Sequence, residues 1–155
     1  MKLNAGVIMR ILIMILYALL ASATIAAARD DRPIGMVETV SGDAYIQRND
    51  QRLAAQPGSE LFLGDVLSTG SNGAVGVILR DDTVLSLGPS SETRLEQFAF
   101  DPAEHKLGML LRVTRGLFSY VSGRISKLSP GSVRIETPVA TLGIRGTRLV
   151  ARIVP

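Results

Sequence analysis

The chain has 155 residues, 46% of them hydrophobic, and its 17 lysines and arginines against 14 acids give a formal charge of +3. It holds no cysteine and no tryptophan, which excludes disulfide scaffolds, thiolate metal sites and cysteine nucleophiles. The length fits one domain able to bury a core without such staples, and the basic balance alone would point to nucleic acid or a membrane surface.

The first element changes that arithmetic. Residues 1–10 carry Lys2 and Arg10 and no acid, residues 11–20 are an unbroken apolar run, and residues 21–28 are mostly small, with Ala26 and Ala28 in the small-x-small arrangement. This is the pattern of a secretory signal peptide. The alternative is a retained anchor: the apolar character of residues 11–28 approaches the lower limit for a spanning helix. The weakly hydrophobic alanine end favours cleavage, expected between Ala28 and Arg29. A flexible N-terminus over 29–33 and one domain over 34–155 follow. The mature chain of 127 residues would set 15 basic residues against 14 acidic ones, a charge of +1. Those basic residues are scattered, with no aromatic ladder, so nucleic acid is not an expected partner. Contact with the membrane is expected only transiently, through the signal peptide.

From residue 34 the apolar periodicity is mostly two, which predicts strands. Residues 35–40 form one, Ser41-Gly42 a turn, and residues 43–48 a second. Residues 73–80 place Val75, Val77 and Leu79 on one face; Asp81-Asp82 turns the chain and residues 83–87 return, which predicts a hairpin with a solvated tip. Asp101-Pro102-Ala103-Glu104 reads as a turn or a single helical turn leading into the alternating Leu107, Met109, Leu111 and Val113. Further β-type runs cover 117–121, 133–137 and 148–154. Fourteen glycines after residue 28, many spaced near ten, suit turn-rich β architecture.

The residues offer little chemistry. His105, the sole histidine, lies in the 101–106 turn and is expected exposed there, since without cysteine it cannot assemble a zinc site. The glycine-rich stretch 70–76 has no P-loop lysine and leads into a strand rather than a helix, so it reads as a turn. Neither acidic doublet, Asp30-Asp31 or Asp81-Asp82, has the alternating oxygen ligands of a calcium loop. No serine sits in Gly-x-Ser-x-Gly. No catalytic residue, cofactor or metal is expected, and the protein is not read as an enzyme.

Two stretches carry a family resemblance. Gly64-Asp65-Val66-Leu67-Ser68-Thr69-Gly70, followed by the hairpin that ends at Gly88-Pro89, resembles the first half of the FecR domain. Arg115-Gly116-Leu117-Phe118, then Thr137-Pro138-Val139-Ala140-Thr141 and Gly143-Ile144-Arg145-Gly146-Thr147, resembles its second half. The likeness runs from about Gly35 to Val150, and its second stretch is the more specific. It implies an all-β periplasmic module, a twisted β-solenoid or a flattened two-layer sandwich. In iron-siderophore signalling such a domain belongs to a membrane-spanning regulator of a sigma factor that receives its signal through protein contacts. This chain shows no cytoplasmic helical segment before its apolar stretch and stops at Pro155. A free-standing exported domain, or a truncated relative of a larger surface protein, is therefore expected rather than a full anti-sigma regulator.

The motif residues Gly64, Asp65, Thr69, Gly70, Thr137, Pro138, Gly143, Arg145, Gly146 and Thr147 form the candidate site, structural or interacting. Gly143 and Gly146 are expected to permit a bend or close packing. Arg145, between glycines in an apolar strand, needs a partner, for which Asp65 is the candidate; the alternative is that Arg145 points into solvent. Asp82 stands where the family's hairpin usually has glycine, and aspartate tolerates the left-handed conformation that turn needs. The expected function is a non-enzymatic binding or sensing module of the periplasm or cell surface, working through an envelope protein. The alternatives are a structural or adhesive component that binds glycan, and a hydrolase.

Overall fold

Alternating apolar residues separated by turn-forming glycines leave the backbone one economical way to satisfy its hydrogen bonds, which is to pair short strands edge to edge. A computed structural model describes residues 32–146 and 148–154. The expected leader, the cleavage point at Ala28 and Arg29, and Thr147 lie outside the described residues. Twelve strands follow in chain order: β1 (Gly35–Ser41), β2 (Ala44–Arg48), β3 (Gln51–Ala54), β4 (Glu60–Leu61), β5 (Val66–Thr69), β6 (Ala74–Leu79), β7 (Val84–Leu87), β8 (Glu92–Asp101), β9 (Lys106–Val121), β10 (Val133–Glu136), β11 (Thr141–Gly143) and β12 (Arg148–Ile153). One helical turn, α1 (Arg124–Leu128), stands between β9 and β10. The all-β class holds.

The strands join one curled sheet in the order β3-β2-β5-β8-β9-β7-β6-β1-β4, with β10 and β12 paired to β9 and β11 paired to β10. All pairings are antiparallel except β10 on β9. The predicted strand–turn–strand over 35–48 forms, but β1 and β2 do not pair with each other. Instead β1 lies between β4 and β6, while β2 lies between β3 and β5, so Ser41-Gly42-Asp43 carries the chain from one half of the sheet to the other. The 75–87 hairpin forms as predicted, β6 against β7, with Asp82 at φ 66. Residues 102–105 are a turn, held by Glu104 N–H on Asp101 Oδ1 at 3.1 Å.

The strand that unites the sheet is β9. Its first half pairs with β8 and β10, and its second half, from Gly116, pairs with β7 and β12. The predicted strands 107–113 and 117–121 are thus one element, bent at Gly116, whose φ is +93°. The inner faces of both halves meet in a common core: Leu61, Leu67, Val77, Leu85, Leu95, Leu111, Phe118 and Ile125 are wholly buried. The outer face carries charge, with Arg112 of β9 reaching Glu96 at 3.0 Å and Glu136 at 2.9 Å across neighbouring strands.

Asp81 corrects one expectation. The hairpin tip is not solvated at this residue: Asp81 is completely buried. Its carboxylate accepts from Thr83 O–H (2.8 Å), Thr83 N–H (3.2 Å) and Ile125 N–H (3.2 Å), and its carbonyl accepts from Arg124 N–H (2.6 Å). Thr83 Oγ1 in turn accepts from Gly123 N–H. The burial is sustained because each of the three oxygens has a donor, and the result is a bracket that seats α1 on the β6–β7 turn. Asp81→Ala strands these buried donors and is expected to cost about 2–3 kcal/mol, read as a lower urea midpoint with an unchanged slope.

Candidate functional site

The motif residues separate into two groups. In the first, Asp65 lies at the entry to β5, its carboxylate 1% exposed. Arg48, at the end of β2, holds it through both guanidinium arms, Nε to Oδ1 at 2.9 Å and Nη2 to Oδ2 at 2.7 Å. Phe62 N–H donates to Oδ2 at 2.9 Å, Arg48 Nη2 also reaches the Glu60 carbonyl at 2.8 Å, and the guanidinium lies 4.3 Å over the Phe62 ring. The hydrogen bonds to Asp65 raise the guanidinium above its ordinary pKa. Gly64 makes the turn before Asp65 possible with φ at +90°, and its N–H reaches Leu95 O. Thr69 and Gly70 close the other end of β5: Thr69 O–H donates to Gly88 O at 2.6 Å, Ser91 N–H donates to Thr69 Oγ1 at 2.9 Å, and Ser90 N–H donates to Gly70 O at 2.9 Å. Every one of these contacts is internal, so this half of the motif folds the chain.

The expected Arg145–Asp65 pair does not form. Asp65 is saturated by Arg48 and by Phe62 N–H, and Arg145 is exposed. The partner that sequence reasoning missed, Arg48, sits two-thirds buried in a strand of mixed polarity where nothing distinguishes it from a solvent-facing arginine.

The second group is displayed at the surface. Thr137 and Pro138 make the turn between β10 and β11, where Thr137 N–H donates to Ala140 O at 2.8 Å and Ala140 N–H donates to Thr137 Oγ1 at 3.1 Å. Val139 at its tip is 88% exposed. The connection from β11 to β12 carries Ile144, Arg145 and Gly146, of which Ile144 is buried and its neighbours are exposed. Gly143 and Gly146 meet no atom within 4 Å where a side chain would begin, and neither has a positive φ. Of the two expected roles, close packing is therefore not what requires glycine there, and a left-handed backbone does not require it either.

Between this connection and α1 runs a cleft of about 380 Å³, lined by Ser122, Ser126, Lys127, Pro130, Ile144, Arg145 and Gly146. Ser122 O–H donates to the Gly146 carbonyl and fixes the two walls to each other. No ion pair engages Arg145 or Lys127 among the described residues, so the cleft presents two cations and no acid. Of its lining, only the Ile144–Gly146 segment carried a signal in the sequence; Pro130-Gly131 marks the turn after α1, but α1 itself has too few residues for a helical period. His105 stands exposed in the β8–β9 turn, outside the cleft.

The FecR family, described as FecR protein, matches residues 65–154. No curated protein and no solved structure matches the chain. The match opens on Asp65 and takes in the buried motif group around β5 from that residue onward and the displayed one before β12. Over those residues, more than half its length, the chain belongs to the FecR family.

Proposed function

We propose that the chain is a non-enzymatic binding and sensing module of the bacterial cell envelope, exported and acting through protein–protein contacts. One observation carries this reading. The family motif divides into a first stretch around β5 whose bonds are internal and a second, more specific stretch whose segment Pro138–Gly146 lies at the surface except for Ile144, with glycines the fold does not need. Small residues that leave the backbone open at an exposed edge suit close approach by another chain. Beside them β12 pairs with β9 along one side only, which leaves a strand edge open to addition. Among the described residues no helix is long and apolar enough to cross a membrane.

The test is capture of partners from a bacterial envelope extract by the wild-type chain and by Gly146→Ala and Arg145→Glu. A defined envelope protein retained by the wild type and lost with either variant supports the reading. Retention on peptidoglycan or polysaccharide with no protein partner supports a structural or adhesive role instead. Gly143→Ala and Gly146→Ala are expected to change stability by no more than about 0.5 kcal/mol, as for surface substitutions that touch nothing, so that loss of capture reports recognition and not unfolding.

A further inference from the structure

We infer that the cleft between α1 and the β11–β12 connection binds a carboxylate supplied by an acidic side chain of a partner protein; this rests on the protein-binding reading above and names the group recognised. The cleft joins two kinds of surface. Arg145 and Lys127 bring positive charge with no acid among the lining residues, while Ile144 and Pro130 supply apolar wall and Leu128, next to Lys127, is 55% exposed. A guanidinium fork matches a carboxylate through two parallel bonds, and the apolar wall accepts the methylene stem and neighbouring side chains that a free inorganic anion lacks.

A second observation comes from beneath the cleft. Tyr120 of β9 is completely buried, and its hydroxyl, although close to those of Ser122, Thr83 and Ser126, makes no hydrogen bond of ordinary geometry. Burial pushes the phenol above its ordinary pKa of 10.0, and the hydroxyls that act on it to offset this include those of Ser122 and Ser126, both lining the cleft. A buried hydroxyl without a well-formed bond is costly and leaves a donor to be satisfied. Here it is a protonated donor behind the cleft wall, and Ser126, which lines the cleft, can relay its hydrogen bond to an incoming anion. The Asp81 carboxylate, which also acts on Tyr120, has its oxygens taken by Thr83 and Ile125 and does not compete for the cations.

The experiment is an NMR titration of the full chain as isolated from cells, following backbone amides. The probes are acetyl-Gly-Glu-Leu-amide, its glutamine counterpart, sodium acetate, sodium sulfate and oligogalacturonate. The expected result is saturable shifts at Ser126, Lys127 and Gly146 with the glutamate peptide, at least tenfold weaker binding of the glutamine peptide and of acetate, and at least tenfold loss in Arg145→Gln. Tyr120→Phe removes a hydroxyl without a well-formed bond, so its melting temperature is expected to equal or exceed that of the wild type while peptide affinity falls several-fold. Equal binding of the two peptides, shifts confined to other residues, or unchanged affinity in Arg145→Gln overturns the inference. Tighter binding of sulfate or oligogalacturonate than of the glutamate peptide overturns the protein source. Should envelope capture succeed while this titration fails, the partner docks elsewhere on the domain and the functional reading stands without the cleft.

Discussion

Arg48→Ala is expected to lower the stability of the domain by about 3 kcal/mol, the low end of the range for breaking a buried ion pair, and its melting temperature by roughly 10 °C. The size follows from which partner can escape. Asp65 is 1% exposed and Arg48 31%, so deleting the arginine strands a carboxylate that water cannot reach, with Phe62 N–H as its remaining donor. Deleting the aspartate leaves a guanidinium that can swing toward solvent, and Asp65→Ala is accordingly expected to cost less, about 2 kcal/mol. Arg48→Lys keeps the charge but loses the two-armed geometry and the Glu60 contact, and falls between the wild type and Arg48→Ala. Denaturant melts of the three variants check the order. An Arg48→Ala protein within 1 kcal/mol of the wild type, an order-of-magnitude threshold for a surface pair, would show that the pair does not hold β2 to the β4–β5 connection.

That staple illustrates what could be read from the sequence and what could not. The strands themselves were legible, because alternation in 75–79, 83–87 and 107–113 is a local pattern and the buried residues fall where it places them. Asp82 was legible too, since a turn needs a residue that accepts positive φ. Partners across the sheet were not. β1 and β2 are adjacent in sequence yet belong to different halves, and the choice between a hairpin and a crossing depends on which distant strands, β6 and β5, offer the better face. Asp81 looked like a hairpin tip because its local surroundings are polar; it is buried by α1, which lies more than 40 residues later. For Arg145 the sequence leaves two readings, a partner or solvent, and the second holds because the residue stands in a connection at the surface, where a charge needs no partner. The family motif located the right segments and said nothing of their division into a folding half and a displayed half. That division depends on the space around each residue, which only the packed chain defines.

Gly116→Ala is expected to be strongly damaging, with a loss of about 3 kcal/mol or more from backbone strain and overpacking together. Two independent causes act at this position. Its φ of +93° lies outside the range that residues with a side chain adopt easily. An added Cβ would also stand 2.2 Å from Ser91 Oγ and 2.4 Å from Ser91 Cα. Ser91 cannot retreat cheaply, because its hydroxyl exchanges hydrogen bonds with both the N–H and the C=O of Leu117, at 2.9 and 3.1 Å, and its own N–H is held by Thr69. The bend matters because β9 carries both halves of the sheet: straightening it would separate the β8 and β10 pairings of its first half from the β7 and β12 pairings of its second. Ser91→Gly in the Gly116→Ala background removes the hydroxyl clash but leaves the contact with Cα and the strained φ, so it is expected to recover only part of the loss. Full recovery would assign the whole effect to Ser91 Oγ, and a Gly116→Ala protein as stable as Gly146→Ala would remove the bend from the account of how this domain holds its two halves on one core.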